Sequence, residues 1–441
     1  MNGLEEIRVR GGTPLCGSIT IQGSKNAALP VMAASLLHRG VSVLRKCPRI
    51  TDVFCMEEIL KSLGAKTWWE QNDLYLDCAD ADKTEISSVY TGKMRSSVIL
   101  LGALLGRNKE GIMGYPGGCV IGKRPVDLHV CVLRELGAEV TENDFFIKAS
   151  CSKMKGCRFI FPKKSVGATE QALLAAVFAE GRTILENCAV EPEILTLCRY
   201  LNEMGASIEK TGESRLEITG MTELNGGDME IPPDRIVAGT YICAAAATRG
   251  KITIENPPEG EMEAFLEVYR KMGGQYEWNS GKLVANATEV AYPVTDVETE
   301  AYPGFPTDLQ SPLMAVLATI PGNSSLRENI FEDRFRIVKE LKTMGADIRV
   351  GGRIARINGG NRLHGAELSA TELRGGAALI IAALAAEGES VIRGCSFIHR
   401  GYENICRDLT VLGGQIRENT GNIFYENIQL QEKIKHKWKD C

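Results

Sequence analysis

Long apolar stretches with no polar face alternate along this chain with amphipathic ones. AALPVMAASLL, EQALLAAVFAEG, GTYICAAAATRG and GAALIIAALAAEG are Ala-rich and lack a polar stripe. That pattern predicts helices buried on all sides. Gly40, Gly181, Gly250, Gly322 and Gly388 follow such runs where a left-handed C-cap is expected, and β-patterned segments come next, as in TILEN at Thr183 and ITIEN at Ile252. An amphipathic helix is then predicted in each unit, with Pro125 and Pro192 fitting the first turn of two of them. Each amphipathic stretch closes on one tag, an apolar residue, Gly, then Ala or Gly: LGA at Leu63 and Leu136, MGA at Met204, MGG at Met272, MGA at Met344 and LGG at Leu412. The tag glycines at 64, 137, 205, 273, 345 and 413 are 73, 68, 68, 72 and 68 residues apart.

This regularity predicts an α/β protein built from a β-α-β-α-β-β unit of about 70 residues repeated six times, each buried helix needing its neighbours to cover it. Three units make a domain of ordinary size. The expected organisation is one three-repeat domain over residues 23–231, a second over 1–22 plus 232–425 with the boundary near IPPDR at Ile231, and a tail over 426–441. The first 22 residues are expected to supply a strand elsewhere. The tail carries Lys433, Lys435, His436, Lys437 and Lys439 and reads as a solvated helix or frayed end.

Charge narrows the ligand classes. Across 441 residues, 51 Lys plus Arg face 56 Asp plus Glu, a net charge of −5, so no overall basic field collects nucleic acid. Anionic ligands must be held by local clusters of cations. The opening MNGLEEIRVR is acidic where a signal peptide would be basic and then apolar, so a cytoplasmic protein without membrane association is expected. Fourteen Cys and five His are scattered without a CxxC pair, which argues against a disulfide framework or a zinc site.

Chemistry enters where the repeat breaks. The openings of the buried helices differ: GSKNAALP at Gly23, KMRSSV at Lys93, KSVGAT at Lys164, PDRIVAG at Pro233, PTDLQSP at Pro306 and ELRGGAA at Glu372. If three helices pack about a pseudo-threefold axis, their N-termini share a face on which amide groups and positive dipole ends converge. Lys25, Arg95, Arg235 and Arg374 would add charge there. Each opening alone reads as a cap or a solvated charge; jointly they point to an anion site. One loop, GYPGGCVIGKRPVDLH from Gly114 to His129, is glycine-rich as a lid requires, and places Cys119 beside Lys123 and Arg124, cations that favour the thiolate.

Through GSKNAALP, PGGCVIGKRPVDLH, KSVGAT, EPEI, PDR, FPTDLQ, IFEDRF and LRGGAA…HRGYE, the sequence resembles the UDP-N-acetylglucosamine 1-carboxyvinyltransferase family of enolpyruvyl transferases over nearly its whole length. The Cys loop joined to RPVDLH is the most specific of these motifs. The resemblance implies an inside-out α/β barrel of two three-unit domains around a cleft. It also implies transfer of the enolpyruvyl group of phosphoenolpyruvate to the 3-hydroxyl of the UDP-sugar through a tetrahedral phospholactoyl intermediate, with neither metal nor organic cofactor.

By the same resemblance, Lys25, Arg124 and Arg400 hold the phosphate and carboxylate of phosphoenolpyruvate. Asn26 and Asp308 flank the sugar hydroxyl, with Asp308 as its general base. Arg95 and Ile330 line the sugar, Lys163, Ser165, Val166 and Gly167 receive the diphosphate, Asp127 and Leu128 belong to the uracil pocket, and Pro125 and Val126 are substrate-binding. Arg374 joins the substrate-binding set. Cys119 is the lid thiol, the proton donor to the methylene carbon and the residue alkylated by fosfomycin. Two departures stand out, Val237 where the family commonly has Glu, and Glu372 where it has Asp ahead of Arg374. Two alternatives remain open: 3-phosphoshikimate 1-carboxyvinyltransferase, which lacks the Cys lid, and a catalytically silent sugar-nucleotide-binding paralogue. Sequence sets no oligomeric state; a monomer is the favoured expectation.

Overall fold

The computed structural model describes residues 5–117, 122 and 125–419. Cys119, Lys123, Arg124 and the tail therefore lie outside the described residues. The apolar runs form helices Lys25–Ser35, Leu100–Asn108, Val166–Ala176, Arg235–Thr248, Gln310–Ala318 and Leu373–Ala385, whose side chains are almost all buried. The amphipathic stretches form Thr51–Leu63, Asp127–Glu135, Pro192–Glu203, Glu263–Lys271, Val338–Thr343 and Ile405–Val411.

All six tag glycines adopt φ between 86° and 112°. In each tag the glycine amide and the next amide reach back to the last turn of the helix. In the first, Gly64 N–H donates to the Lys61 carbonyl and Ala65 N–H to the Leu60 carbonyl, both at 3.0 Å. These are Schellman caps, which need a residue without the Cβ penalty at the left-handed position. The glycines after the buried helices divide. Gly181, Gly322 and Gly388 are left-handed as expected, with φ of 90°, 110° and 95°, but lie two to four residues past the cap residues Val177, Thr319 and Ala386. The left-handed caps of the Leu100 and Arg235 helices are Lys109 and Arg249, not Gly, and Gly40 and Gly250 have no positive φ. Gly250 is required by proximity instead, because a Cβ there would fall 2.2 Å from the Leu15 carbonyl oxygen. Pro192 occupies the first turn of its helix, whereas Pro125 precedes the N-cap residue Val126.

Among the described residues the strands form six four-stranded sheets of one order. One runs Arg158–Ile160, Arg182–Glu186, Arg215–Thr219, Ser207–Gly212, with a parallel pair followed by two antiparallel pairs. The remaining five share that sequence of parallel and antiparallel pairing. Strands alternate inward and outward residues, as a sheet covered on one face requires; in Arg182–Glu186, Thr183 and Leu185 point inward.

The buried apolar residues fall into two clusters, one over residues 27–231 and the other joining 7–21 to 236–416. The N-terminal segment supplies two strands to the second cluster. Glu6–Arg10 lies antiparallel between Glu389–Arg393 and Gln415–Asn419, and Cys16–Ile19 runs parallel to Lys251–Ile254. Asp228–Glu230 closes a sheet of the first cluster against Val41–Arg45. The two crossings between clusters lie side by side, Ser24 N–H donating to the Pro232 carbonyl and Asp234 N–H to that of Gln22. Each crossing opens a buried helix, so helix N-termini of both clusters stand at the seam.

Candidate active site

Helix capping decides which N-termini remain open to a ligand. The Ser24 and Ser165 hydroxyls accept from the Ala27 and Ala168 amides. Asp234 accepts from Ile236 N–H and Val237 N–H, and its other oxygen takes Lys25 N–H. Glu372 accepts from Arg374 N–H and Gly375 N–H. The Arg235 and Leu373 helices thus carry their own carboxylates at the amides that were expected to meet an anion. Their contribution to charge is through side chains, not through free amides. The Glu372 carboxylate packs directly against Gly375. The longer acid therefore leaves Arg374 seated, and Val237 is buried in its helix.

The centre of the site holds two sets of alternating charges, one around Asp308 and one around Asp52. Arg374, 2% exposed, donates to Asp308 through Nε and Nη2 at 3.1 and 2.9 Å, and Arg334 donates to the other Asp308 oxygen at 2.8 Å. Burial alone would raise the Asp308 carboxyl, but Arg374, Arg334 and Lys25 hold it far below the usual carboxylate range. Asp308 in turn raises Arg374 against the opposing effect of burial. Arg374 also approaches the Tyr402 hydroxyl, which shares a hydrogen bond with Thr240. Lys25 Nζ lies 3.1 Å from Asp52, and Arg400 meets the same carboxylate through Nε at 2.8 Å and Nη2 at 3.2 Å.

Three residues of the site were not singled out in the sequence, although Arg334 lies within the IFEDRF motif. Asp52, Arg334 and Glu328 have ordinary local roles as a first-turn acid, a charge after a turn and a strand-end acid. Glu328, 1% exposed, accepts from the Thr299 and Thr307 hydroxyls and from the amides of Ile330 and Phe331. It fixes the segment of Asp308 against that of Ile330, which is exposed. Among the described residues Arg334 Nε is buried without a hydrogen-bond partner.

A second group includes the residues that flank Cys119 and Arg124 in the sequence. Arg95 donates to the carbonyls of Pro116 and Pro125, one on each side of the segment containing Cys119 and Arg124. Pro125 and Asp127 are exposed, but the side chains of Val126 and Leu128 are buried in the core, leaving only their backbone to a ligand. Lys163 is exposed, while Ser165, Val166 and Gly167 are half-buried at a helix N-terminus. A Cβ on Gly167 would meet the His129 ring at 3.1 Å, which joins the 125–129 and 165–167 segments. Asn26 is half-buried beside Lys25. Arg235 is not in either group. It pairs with Glu193 across the two clusters at 3.1 Å, next to a shallow cleft lined by Phe265, Tyr302 and Leu309.

The family model described as EPSP synthase (3-phosphoshikimate 1-carboxyvinyltransferase) matches residues 9–409. UDP-N-acetylglucosamine 1-carboxyvinyltransferase 2 of Caldanaerobacter subterraneus subsp. tengcongensis is 41% identical over 411 residues, covering 93% of this chain and 99% of that protein. The chain belongs to the UDP-N-acetylglucosamine 1-carboxyvinyltransferase family of enolpyruvyl transferases. A Thermus thermophilus member of the family is 43% identical over 93% of this chain and 96% of its own. Among solved structures, the enolpyruvyl transferase NikO from Streptomyces tendae superposes with a TM-score of 0.86 at 24% identity, covering 95% and 99% of the two chains. EPSP synthase from Acinetobacter baumannii gives 0.71 at 18%, covering 94% and 100%. Both carry the enolpyruvyl transferase fold. Among the described residues no helix is long and apolar enough to cross a membrane.

Proposed function

We propose that this chain transfers the enolpyruvyl group of phosphoenolpyruvate to the 3-hydroxyl of UDP-N-acetylglucosamine and releases phosphate, the entry to peptidoglycan precursor synthesis. The observation that carries this reading is the gathering of Lys25, Arg334, Arg374 and Arg400 around two carboxylates, Asp52 and Asp308, in a chain 41–43% identical to relatives named for that reaction. Asp52 and Asp308 each face two cations, Lys25 with Arg400 and Arg374 with Arg334, an arrangement suited to a donor that is both phosphate and carboxylate.

In the first step the acceptor oxygen bonds to C2 of phosphoenolpyruvate while its proton passes to Asp308 and a proton is added at C3. The tetrahedral adduct then loses phosphate and a C3 proton, restoring the double bond. Asp308 is a weak base while two arginines hold it. The donor's carboxylate, by engaging Arg334 and Arg374, draws charge away and restores its basicity. Lys25 and Arg400, with Arg124, take the phosphate. Asn26, Arg95 and Ile330 orient the sugar, and Lys163, Ser165, Val166 and Gly167 receive the diphosphate near Asp127. Cys119 supplies the C3 proton and is the site of fosfomycin alkylation.

The reading extends to architecture. The shared sheet order and the two apolar clusters support an inside-out α/β barrel, six repeats in two pseudo-threefold domains over 23–231 and over 1–22 plus 232–425. A cytoplasmic monomer closing over the UDP-sugar before phosphoenolpyruvate binds fits such a pair of domains. Phosphate release measured with both substrates tests the activity; scattering that shows no compaction on adding the UDP-sugar would count against closure.

A further inference from the structure

Lys25 and Arg400 come from opposite apolar clusters and meet on one carboxylate, Asp52, which is 4% exposed. The surroundings are built to keep that meeting. Thr51 N–H donates to the His399 carbonyl at 3.0 Å, Arg49 N–H to Glu403 Oε1 at 2.7 Å, Gln22 Nε2 to the Gly401 carbonyl, and Glu403 N–H to Gln22 Oε1. The segment around Arg400 is therefore pinned to residues 22 and 49–52. Two cations side by side repel, and a long Arg side chain loses little by swinging into water. A buried carboxylate between them, bidentate toward Arg400, fixes both their spacing and their direction.

Resting on the activity proposed above, we infer that Asp52 is a positioning residue for the donor. It holds Lys25 and Arg400, one cation from each cluster, at the separation at which both face a single phosphate. The anion site is complete only when the Arg400 segment is docked on the first turn of the Thr51–Leu63 helix. Asp52 does not touch the reacting atoms.

This role has a sign that distinguishes it from a purely electrostatic one. Asp52→Asn removes a negative charge beside an anion site. If charge alone mattered, phosphoenolpyruvate would bind more tightly. If position matters, the neutral amide cannot hold two cations, and binding weakens despite the more positive field. Steady-state phosphate release by Asp52→Asn and Asp52→Glu should be compared with wild type. The expected result is a KM for phosphoenolpyruvate raised at least tenfold and a kcat lowered at least tenfold in Asp52→Asn. The KM for the UDP-sugar should stay within about twofold, and Asp52→Glu should recover part of both losses. An unchanged or lowered KM for phosphoenolpyruvate overturns the inference. So does an equal rise in both KM values accompanied by a large fall in melting temperature, the mark of a structural role. Direct binding of phosphoenolpyruvate, by calorimetry on wild type and Asp52→Asn without turnover, separates this inference from the assigned activity. A wild type that binds the donor but releases no phosphate with the UDP-sugar refutes the activity alone, while equal donor affinity of the two proteins refutes the role of Asp52.

Discussion

Asp308→Asn changes little in volume and much in chemistry. The carboxylate accepts from Arg374 on one oxygen and from Arg334 on the other. An amide keeps one acceptor and turns an NH2 group toward the second arginine. Hydrogen bonds to charged groups are each worth about 1.5–3 kcal/mol, and one of the two sets is lost, so a destabilisation of about 1–3 kcal/mol is expected at this partly exposed side chain. Turnover suffers more. An amide cannot take the acceptor's proton, and loss of a general base costs about 10²–10⁴-fold, or about 3–5 kcal/mol of barrier at 1.36 kcal/mol per tenfold. Binding of phosphoenolpyruvate moves the other way, because Arg334 and Arg374 are released from a competing carboxylate. The assay is phosphate release at saturating UDP-sugar over a range of phosphoenolpyruvate, with thermal unfolding alongside. The expected outcome is kcat down at least a hundredfold, KM for phosphoenolpyruvate unchanged or lower, and a modest fall in melting temperature. Near-full turnover would refute the role of Asp308 as base and leave it a structural tie between two arginines.

Three further outcomes follow from other parts of the molecule. Cys119 should be alkylated ahead of Cys16 and Cys131, the exposed thiols among the described residues, and peptide mapping after a limiting dose of alkylating agent reads this directly. Burial first, then Glu193 and Glu191, push the Glu170 carboxyl up to about 8. A raised acid stabilises the fold below its unfolded value near 4.3 and loses that contribution as pH climbs toward 8. Glu170→Gln should therefore melt higher than wild type at pH 8.5, by on the order of 2–4 kcal/mol in stability, with the gap closing by pH 4. Gly205→Ala meets nothing closer than 3.5 Å, yet φ is 103°, so calorimetry should show a loss of about 1–2 kcal/mol from backbone strain alone.

Elements whose signal is local were legible in the sequence. The tag glycines announced themselves because a Schellman cap writes a residue type at a fixed place, and the Ala-rich runs because a helix covered all round needs small apolar side chains everywhere. The glycines after those runs were read correctly as left-handed at Gly181, Gly322 and Gly388 but not at Gly40 and Gly250, since the same residue serves a left-handed turn or a close approach, and only Leu15, far away in sequence, decides for Gly250. Lys25, Asp308, Arg374 and Arg400 were visible through their motifs. Asp52 was not, because an acid in the first turn of a helix is ordinary, and its partners stand 27 and 348 residues away. Glu328 was hidden for the same reason, while Arg334 lay inside the IFEDRF motif without being assigned a role. The expectation that every buried-helix N-terminus would offer free amides failed at Asp234 and Glu372, residues that look like caps in sequence and act as caps in the fold.

The assignment of acceptor and donor rests on one reaction. Purified protein given phosphoenolpyruvate should release phosphate when UDP-N-acetylglucosamine is added, at one phosphate per enolpyruvyl-UDP-sugar formed, and should release none when shikimate 3-phosphate replaces it. Phosphate release with shikimate 3-phosphate, or none with either acceptor from a folded protein that binds the UDP-sugar, would contradict it.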